Sequence, residues 1–136
     1  MKSLLKIFIA ACLIYCQACS NKEPFHPPTY HAIAYVIGEE KCSVDSNYNY
    51  WLLDLSVKNN STENGDSITY NGVKYYHVFK TLSTDYTLHK HGNKVEFDFS
   101  FSTNDHMHIQ QTQCDAVNAE TFSLIDIFLL NVKEVD

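Results

Sequence analysis

A chain of 136 residues that is 45% hydrophobic and 13% aromatic, with only 4 Gly and 3 Pro, holds one domain and is too rich in core formers to stay disordered. Its 10 basic residues, all lysine, face 16 acids; the net charge of −6 excludes the basic stripe that a nucleic-acid binder lays along phosphates. No stretch is long enough to remain as a transmembrane helix in the mature protein.

The N-terminus reads as an address. Lys2 and Lys6 make a positive region, and residues 7–16 (IFIAACLIYC) are continuously apolar. That run is about half of the roughly 20 residues a membrane span needs, so it is predicted to be a signal peptide, residues 1–18. It ends in Cys16-Gln17-Ala18-Cys19. Ala18 followed by Cys19 resembles the lipobox of bacterial lipoproteins. The resemblance implies cleavage before Cys19 and acylation of that residue, as in two-chain anchoring. Cys16 departs from the motif, where Leu or a similar residue is usual; the looser lipoboxes of Bacteroidota-type bacteria accept such departures. The other readings are a secretory peptide that leaves Cys19 as a free thiol, or cleavage after Cys12 or Cys16. Ser20 stands where an Asp would retain many lipoproteins in the inner membrane, so the resemblance implies the outer membrane, facing the periplasm or the cell surface. Two lysines and no acid leave with residues 1–18, which makes the mature chain still more acidic. That charge keeps a tethered domain soluble and off anionic head groups.

Residues 19–29 carry Pro24, Pro27 and Pro28 and form a stiff tether. The domain is predicted to span residues 30–136. Residues 30–37 (YHAIAYVI) alternate, with Ile33, Tyr35 and Ile37 on one face and Ala32, Ala34 and Val36 on the other, a strand apolar on both sides. Residues 48–57 (YNYWLLDLSV) are a second strand, Trp51, Leu53, Leu55 and Val57 on one face and Leu52, Asp54 and Ser56 on the other. Residues 58–67 form a polar loop with two overlapping sequons at Asn59 and Asn60, which matter only in a glycosylating host. Asn71-Gly72 supplies the two positive φ angles of a type I′ turn, so residues 68–70 and 73–80 are a hairpin. Residues 82–91 are the one helix candidate. Ser83 or Thr84 would cap it, Asp85 suits its first turn and Gly92 would end it. Residues 95–101 alternate without a break, Val95, Phe97, Phe99 and Phe101 against Glu96, Asp98 and Ser100. Residues 102–119 are polar and loop-like. Residues 122–135 (FSLIDIFLLNVKEV) are predicted to be a long strand with a bulge near Leu129-Leu130.

After cleavage three cysteines remain: Cys19, Cys42 and Cys114. With Cys19 lipidated, Cys42 and Cys114 are an even pair in an oxidising space and are predicted to be bridged; two buried thiols are the alternative. Neither belongs to a C-x-x-C pair, which argues against zinc.

Five strands with a short helix between the third and fourth is the order of an OB-like Greek-key barrel. The predicted class is therefore all-β with one short helix, a small β-sandwich being the alternative. In such a barrel the loops after strands one and four share a rim, which would bring Cys42 to Cys114. The whole pattern resembles small lipoproteins of Bacteroidota-type bacteria. The shared marks are a lipobox, Gly38-x-x-x-Cys42 closing the first strand, a central hairpin, a late strand after a Gly turn, a second Cys and an apolar terminal strand. No activity comes with this resemblance.

Catalytic signatures are not found: there is no GxSxG, HExxH, P-loop or dinucleotide fingerprint, and no cofactor is expected. Glu96 and Asp98 alternate with core residues and read as a solvated strand face. His89-Lys90-His91 and His106-Met107-His108 are weak metal candidates. On a strand i and i+2 share a face, whereas on a helix they diverge. Met107 would add a soft ligand. Tyrosine is abundant, and Tyr50, Trp51, Tyr75 and Tyr76 fall on strands two and three, the face on which OB barrels bind oligosaccharides, peptides and proteins. The leading expectation is a lipid-anchored, non-catalytic binding or assembly module of the envelope, whose partner is an envelope protein, a peptide or a glycan. A His-rich metal-binding lipoprotein and an envelope hydrolase are the alternatives.

Overall fold

A computed structural model of the chain describes residues 28–56, 65–102 and 107–136. The signal peptide, Cys19, all but the end of the tether, the sequons and His106 lie outside the described residues. The strands are β1 (Tyr30–Glu39), β2 (Trp51–Asp54), β3 (Asp66–Tyr70), β4 (Val73–Thr81), β5 (Lys94–Phe101), β6 (His108–Ile109), β7 (Leu124–Ile125) and β8 (Ile127–Glu134). Six of them form an antiparallel sheet in the order β3-β4-β2-β1-β5-β8, and β6 pairs with β7.

The all-β class holds, but the sheet is not closed into a barrel. The hairpin's first arm is a full strand, β3, and it occupies the outer edge of β4 from Val73 to Val78. Only the end of β4 is left for the last strand to approach, and there a single parallel bridge joins Lys80 to Asp126. The hairpin turn itself is as predicted, with φ of 49° at Asn71 and 80° at Gly72.

β1 is central because its inward residues are small. Ala32, Ala34 and Val36 are buried in the principal core with Leu53, Phe79, Val95 and Phe99. β2 is buried on both sides: Trp51 and Leu53 enter the principal core, and Leu52 enters a second cluster with Ile37, Tyr70, Val78 and Leu124. The bulge in β1 between Val36 and Gly38 lets the chain turn toward that second cluster. Gly38 has a φ of +149°, and a Cβ there would overlap the Tyr70 hydroxyl. That hydroxyl donates to the Glu39 carbonyl at 3.1 Å.

Three local expectations change. Residues 82–91 are not a helix; they hold one 3-10 turn, Tyr86–His89, because Asp85 acts as its cap and accepts from Thr87 N at 2.9 Å. The terminal strand breaks at Asp126, and its bulge falls between Leu130 and Lys133, where Asn131 has a φ of 53°. In β5, Val95, Phe97 and Phe99 are buried as predicted, but Ser100 is buried and Phe101 is only half-buried.

Cys42 and Cys114 are joined, with Cα atoms 4.6 Å apart and a sequence separation of 72. Replacing both by Ala is expected to lower stability by ~2–4 kcal/mol, because the bridge constrains a long loop in the unfolded chain. A urea midpoint unchanged in the double variant would count against this.

Candidate functional site

The four aromatics expected to make one binding face do not share a surface. Trp51 is a core residue, only 7% exposed, and stacks on His89 at 4.7 Å between ring centroids. Tyr75 packs against the second cluster. Tyr50 lies over Lys80, and only Tyr76 is well exposed, with Lys74 Nζ 5.0 Å from its ring centre. The physical reason is local to β2: Trp51 and Leu53 enter the principal core and Leu52 the second cluster, so both of its faces leave water. Of the histidines, His89 and His91 sit in and just after a 3-10 turn, and His108 pairs with Asp66 at 2.9 Å. Among the described residues no group of three or more His, Cys, Asp or Glu is placed to hold a metal ion.

What the fold does assemble is a rim around the disulfide. Asn49 Oδ1 accepts from Cys42 N and Ser43 N, and the Cys42 carbonyl accepts from Asp115 N and Ala116 N. Asp115 Oδ1 accepts from Val44 N at 3.0 Å, and Lys41 bridges Glu120 through the backbone. These bonds fix two loops to each other, and an open cavity of about 420 Å³ lies between them. Its wall is formed by Cys42, Ser43, Tyr48, Gln111, Gln113, Cys114 and Asp115. Tyr48 is 63% exposed; Gln111 Nε2 donates to the Tyr48 carbonyl, which leaves Gln111 Oε1 buried without a hydrogen bond. An aromatic ring beside amide and carboxylate acceptors suits a polar ligand that brings donors and an apolar flank.

A second assembly is buried. Glu40 and Lys80 are both fully inaccessible and their Oε1 and Nζ atoms are 3.0 Å apart. Lys80 Nζ also donates to the Phe122 carbonyl at 2.8 Å, and Phe122 N donates to Glu40 Oε1 at 2.9 Å. The Tyr50 ring covers Lys80 at 4.5 Å. Asp126, 8% exposed, is the backbone partner of Lys80 in the parallel bridge. Burial pushes the Glu40 carboxyl above its ordinary range, against the pull of the Phe122 and Lys80 hydrogen bonds. Burial does the same to Asp126 and to the Tyr50 hydroxyl. Sequence reading missed this group. Its signals were Lys80 sharing a strand face with Val78, and Asp126 alone inside the run Leu124–Ile125, Ile127.

On the sheet's outer face His31 stands between two carboxylates, Nδ1 3.0 Å from Asp98 and Nε2 3.3 Å from Glu96. Asn131 donates to Asp98 at 2.9 Å, and Lys133 pairs with Glu96 at 3.1 Å. The Asn131 hydrogen bond, then that of His31, holds the Asp98 carboxyl below its ordinary value. A depressed folded pKa gives stability that is present above the unfolded pKa and is lost as pH falls through the folded one. The urea midpoint is therefore expected to fall as the pH drops through and below the ordinary aspartate pKa of about 4, and to fall less in Asp98→Asn. Identical acid slopes in the two proteins would remove Asp98 from the explanation.

No family model, curated protein or solved structure matches the chain.

Proposed function

We propose that the protein is a lipid-anchored, non-catalytic binding module of a bacterial cell envelope. Cys19 carries the lipid, residues 19–29 form the tether, and the disulfide rim engages a polar ligand, a peptide or a glycan. The observation that carries this reading is the cavity between the two stapled loops, where Tyr48, Gln111, Gln113 and Asp115 meet. The Cys42–Cys114 bridge supports an oxidising compartment. The acidic surface fits a domain held off the head groups by a tether.

Two measurements test it. Cys19→Ala is expected to move the protein from the detergent phase to the aqueous phase and to abolish the acylated N-terminus seen by mass spectrometry. An unmodified terminus downstream of Cys19 in the parent would remove the anchor. Binding is screened on arrays of peptides and of envelope oligosaccharides, and Tyr48→Ala is expected to weaken any hit at least about tenfold, the ratio that ~1.4 kcal/mol gives. Hits insensitive to Tyr48 and Gln111 would place recognition elsewhere.

A further inference from the structure

The buried group of Lys80, Glu40 and Asp126 is an amine, a carboxyl that touches it and a second carboxyl on the residue bridged to Lys80 through the backbone, at the break between β7 and β8. We propose that Lys80 and Asp126 condense into an intramolecular amide, Nζ of one to Cγ of the other, with Glu40 as the proton shuttle. The proposal is independent of how the rim cavity is used.

The placement is unusual. A lysine at 0% exposure has no water to solvate its charge, and burying such a charge is costly unless it is fully partnered. Its visible partners are Glu40 Oε1 and the Phe122 carbonyl. The second oxygen of Glu40 is buried with no hydrogen bond, so this carboxyl has a free position for a proton. Asp126 reaches the same side of the sheet. Its neighbours Ile125 and Ile127 enter the principal core and Leu124 enters the second cluster, so the alternation sends Asp126 toward the second cluster as well. Lys80 and Asp126 are paired in the parallel bridge, which holds their Cα atoms side by side. Nζ rests on Glu40 and the Phe122 carbonyl, and the Asp126 carboxyl on Ser102 and the Ile127 backbone, so the reaction requires the rotatable lysine stem to swing from Glu40 to Asp126.

The chemistry balances without an outside reagent. Lys80 Nζ passes a proton to Glu40 along the 3.0 Å hydrogen bond, leaving a neutral amine and a neutral Glu40. The amine lone pair attacks Cγ of protonated Asp126 and forms the C–N bond. Glu40 gives its proton to the departing hydroxyl and takes one from the nitrogen. The C–O bond breaks, one water leaves, and Glu40 ends protonated. Burial, which lifts both carboxyls above their ordinary range, favours these protonated forms. The fold supplies the rest: two reactants fixed as neighbours, and exclusion of the water that would drive the reverse reaction. The Tyr50 ring helps to close the pocket over Lys80. The product would tie β4, next to one edge of the sheet, to the residue before β8, the strand at the other edge.

The test is peptide mapping by mass spectrometry of the full chain purified in folded form, with Cys42–Cys114 reduced before digestion. The expected result is one branched peptide that joins Lys80 to Asp126 and is lighter by one water than its two linear parts. Asp126→Ala and Lys80→Arg are expected to give only linear peptides. So is Glu40→Gln, which keeps both reactants; the presence of its Cys42–Cys114 bridge before reduction reports that it has folded. Recovery of Lys80 and Asp126 in separate linear peptides from the parent overturns the proposal outright. A branched peptide that persists in Asp126→Ala also overturns it, and one that persists in Glu40→Gln overturns the shuttle.

Discussion

Phe99→Ala is expected to cost ~3–5 kcal/mol, the usual range for removing a buried aromatic ring. Phe99 is fully buried on β5, which lies between β1 and β8. Its ring is 5.4 Å from Tyr30, 6.1 Å from Phe79, 6.0 Å from Phe97 and 5.6 Å from Phe101, measured between centroids. Truncation leaves a cavity among four rings on three strands, and β-sheet backbone cannot collapse to fill it. The comparison is Asp98→Asn, one position away on the solvent face, expected at neutral pH to lose only a small fraction of that amount. Chemical denaturation of the two variants beside the parent decides. Equal, small losses would mean that β5 is not a core strand.

Lys80→Met is expected to cost a similar ~3–5 kcal/mol by a different route. The apolar volume is nearly kept, so packing is not the cause. Glu40 is left buried with an empty position where Nζ stood, and the Phe122 carbonyl loses its donor. The experiment belongs on an Asp126→Ala background, where no amide between residues 80 and 126 can form and the ion pair acts alone. Adding Glu40→Leu is then expected to recover a good part of the loss, because a buried pair replaced as a whole by apolar groups is close to neutral. A double replacement worse than the single one would show that Glu40 is held by partners other than Lys80.

The alternating strands were legible in sequence because alternation is a direct image of one wet and one dry face. Residues 95–101 and the Asn71-Gly72 hairpin emerged nearly as read. The pairing of Cys42 with Cys114 was also legible, through compartment and count. The barrel was not, since closure depends on which edge of β4 stays free. That was decided by three residues, Ile68 to Tyr70, which were read as a hairpin arm rather than a sheet strand. The aromatic face failed for a related reason. Composition says that tyrosines exceed what a core can hold, but not which of them the second covered face would absorb; Tyr70 and Tyr75 went there. The rim cavity was half visible, in its cysteines but not in Tyr48 or Gln111. These two meet only because Gln111, 63 residues away, reaches the Tyr48 carbonyl.

The place of β1 at the centre of the sheet sets the order in which the molecule can be made. As the chain is synthesised, β1 is the first of the described strands to appear, yet one of its two neighbours, β5, is translated some sixty positions later. Before then β1, β2, β3 and β4 can pair with one another, but the free edge of β1 and the Ala32–Ala34 side stay uncovered. Such late, non-local closure gives slow folding and a long interval with open β edges. The sheet is completed only when β8 follows residue 114, so its last strand and the second thiol of the bridge arrive almost together.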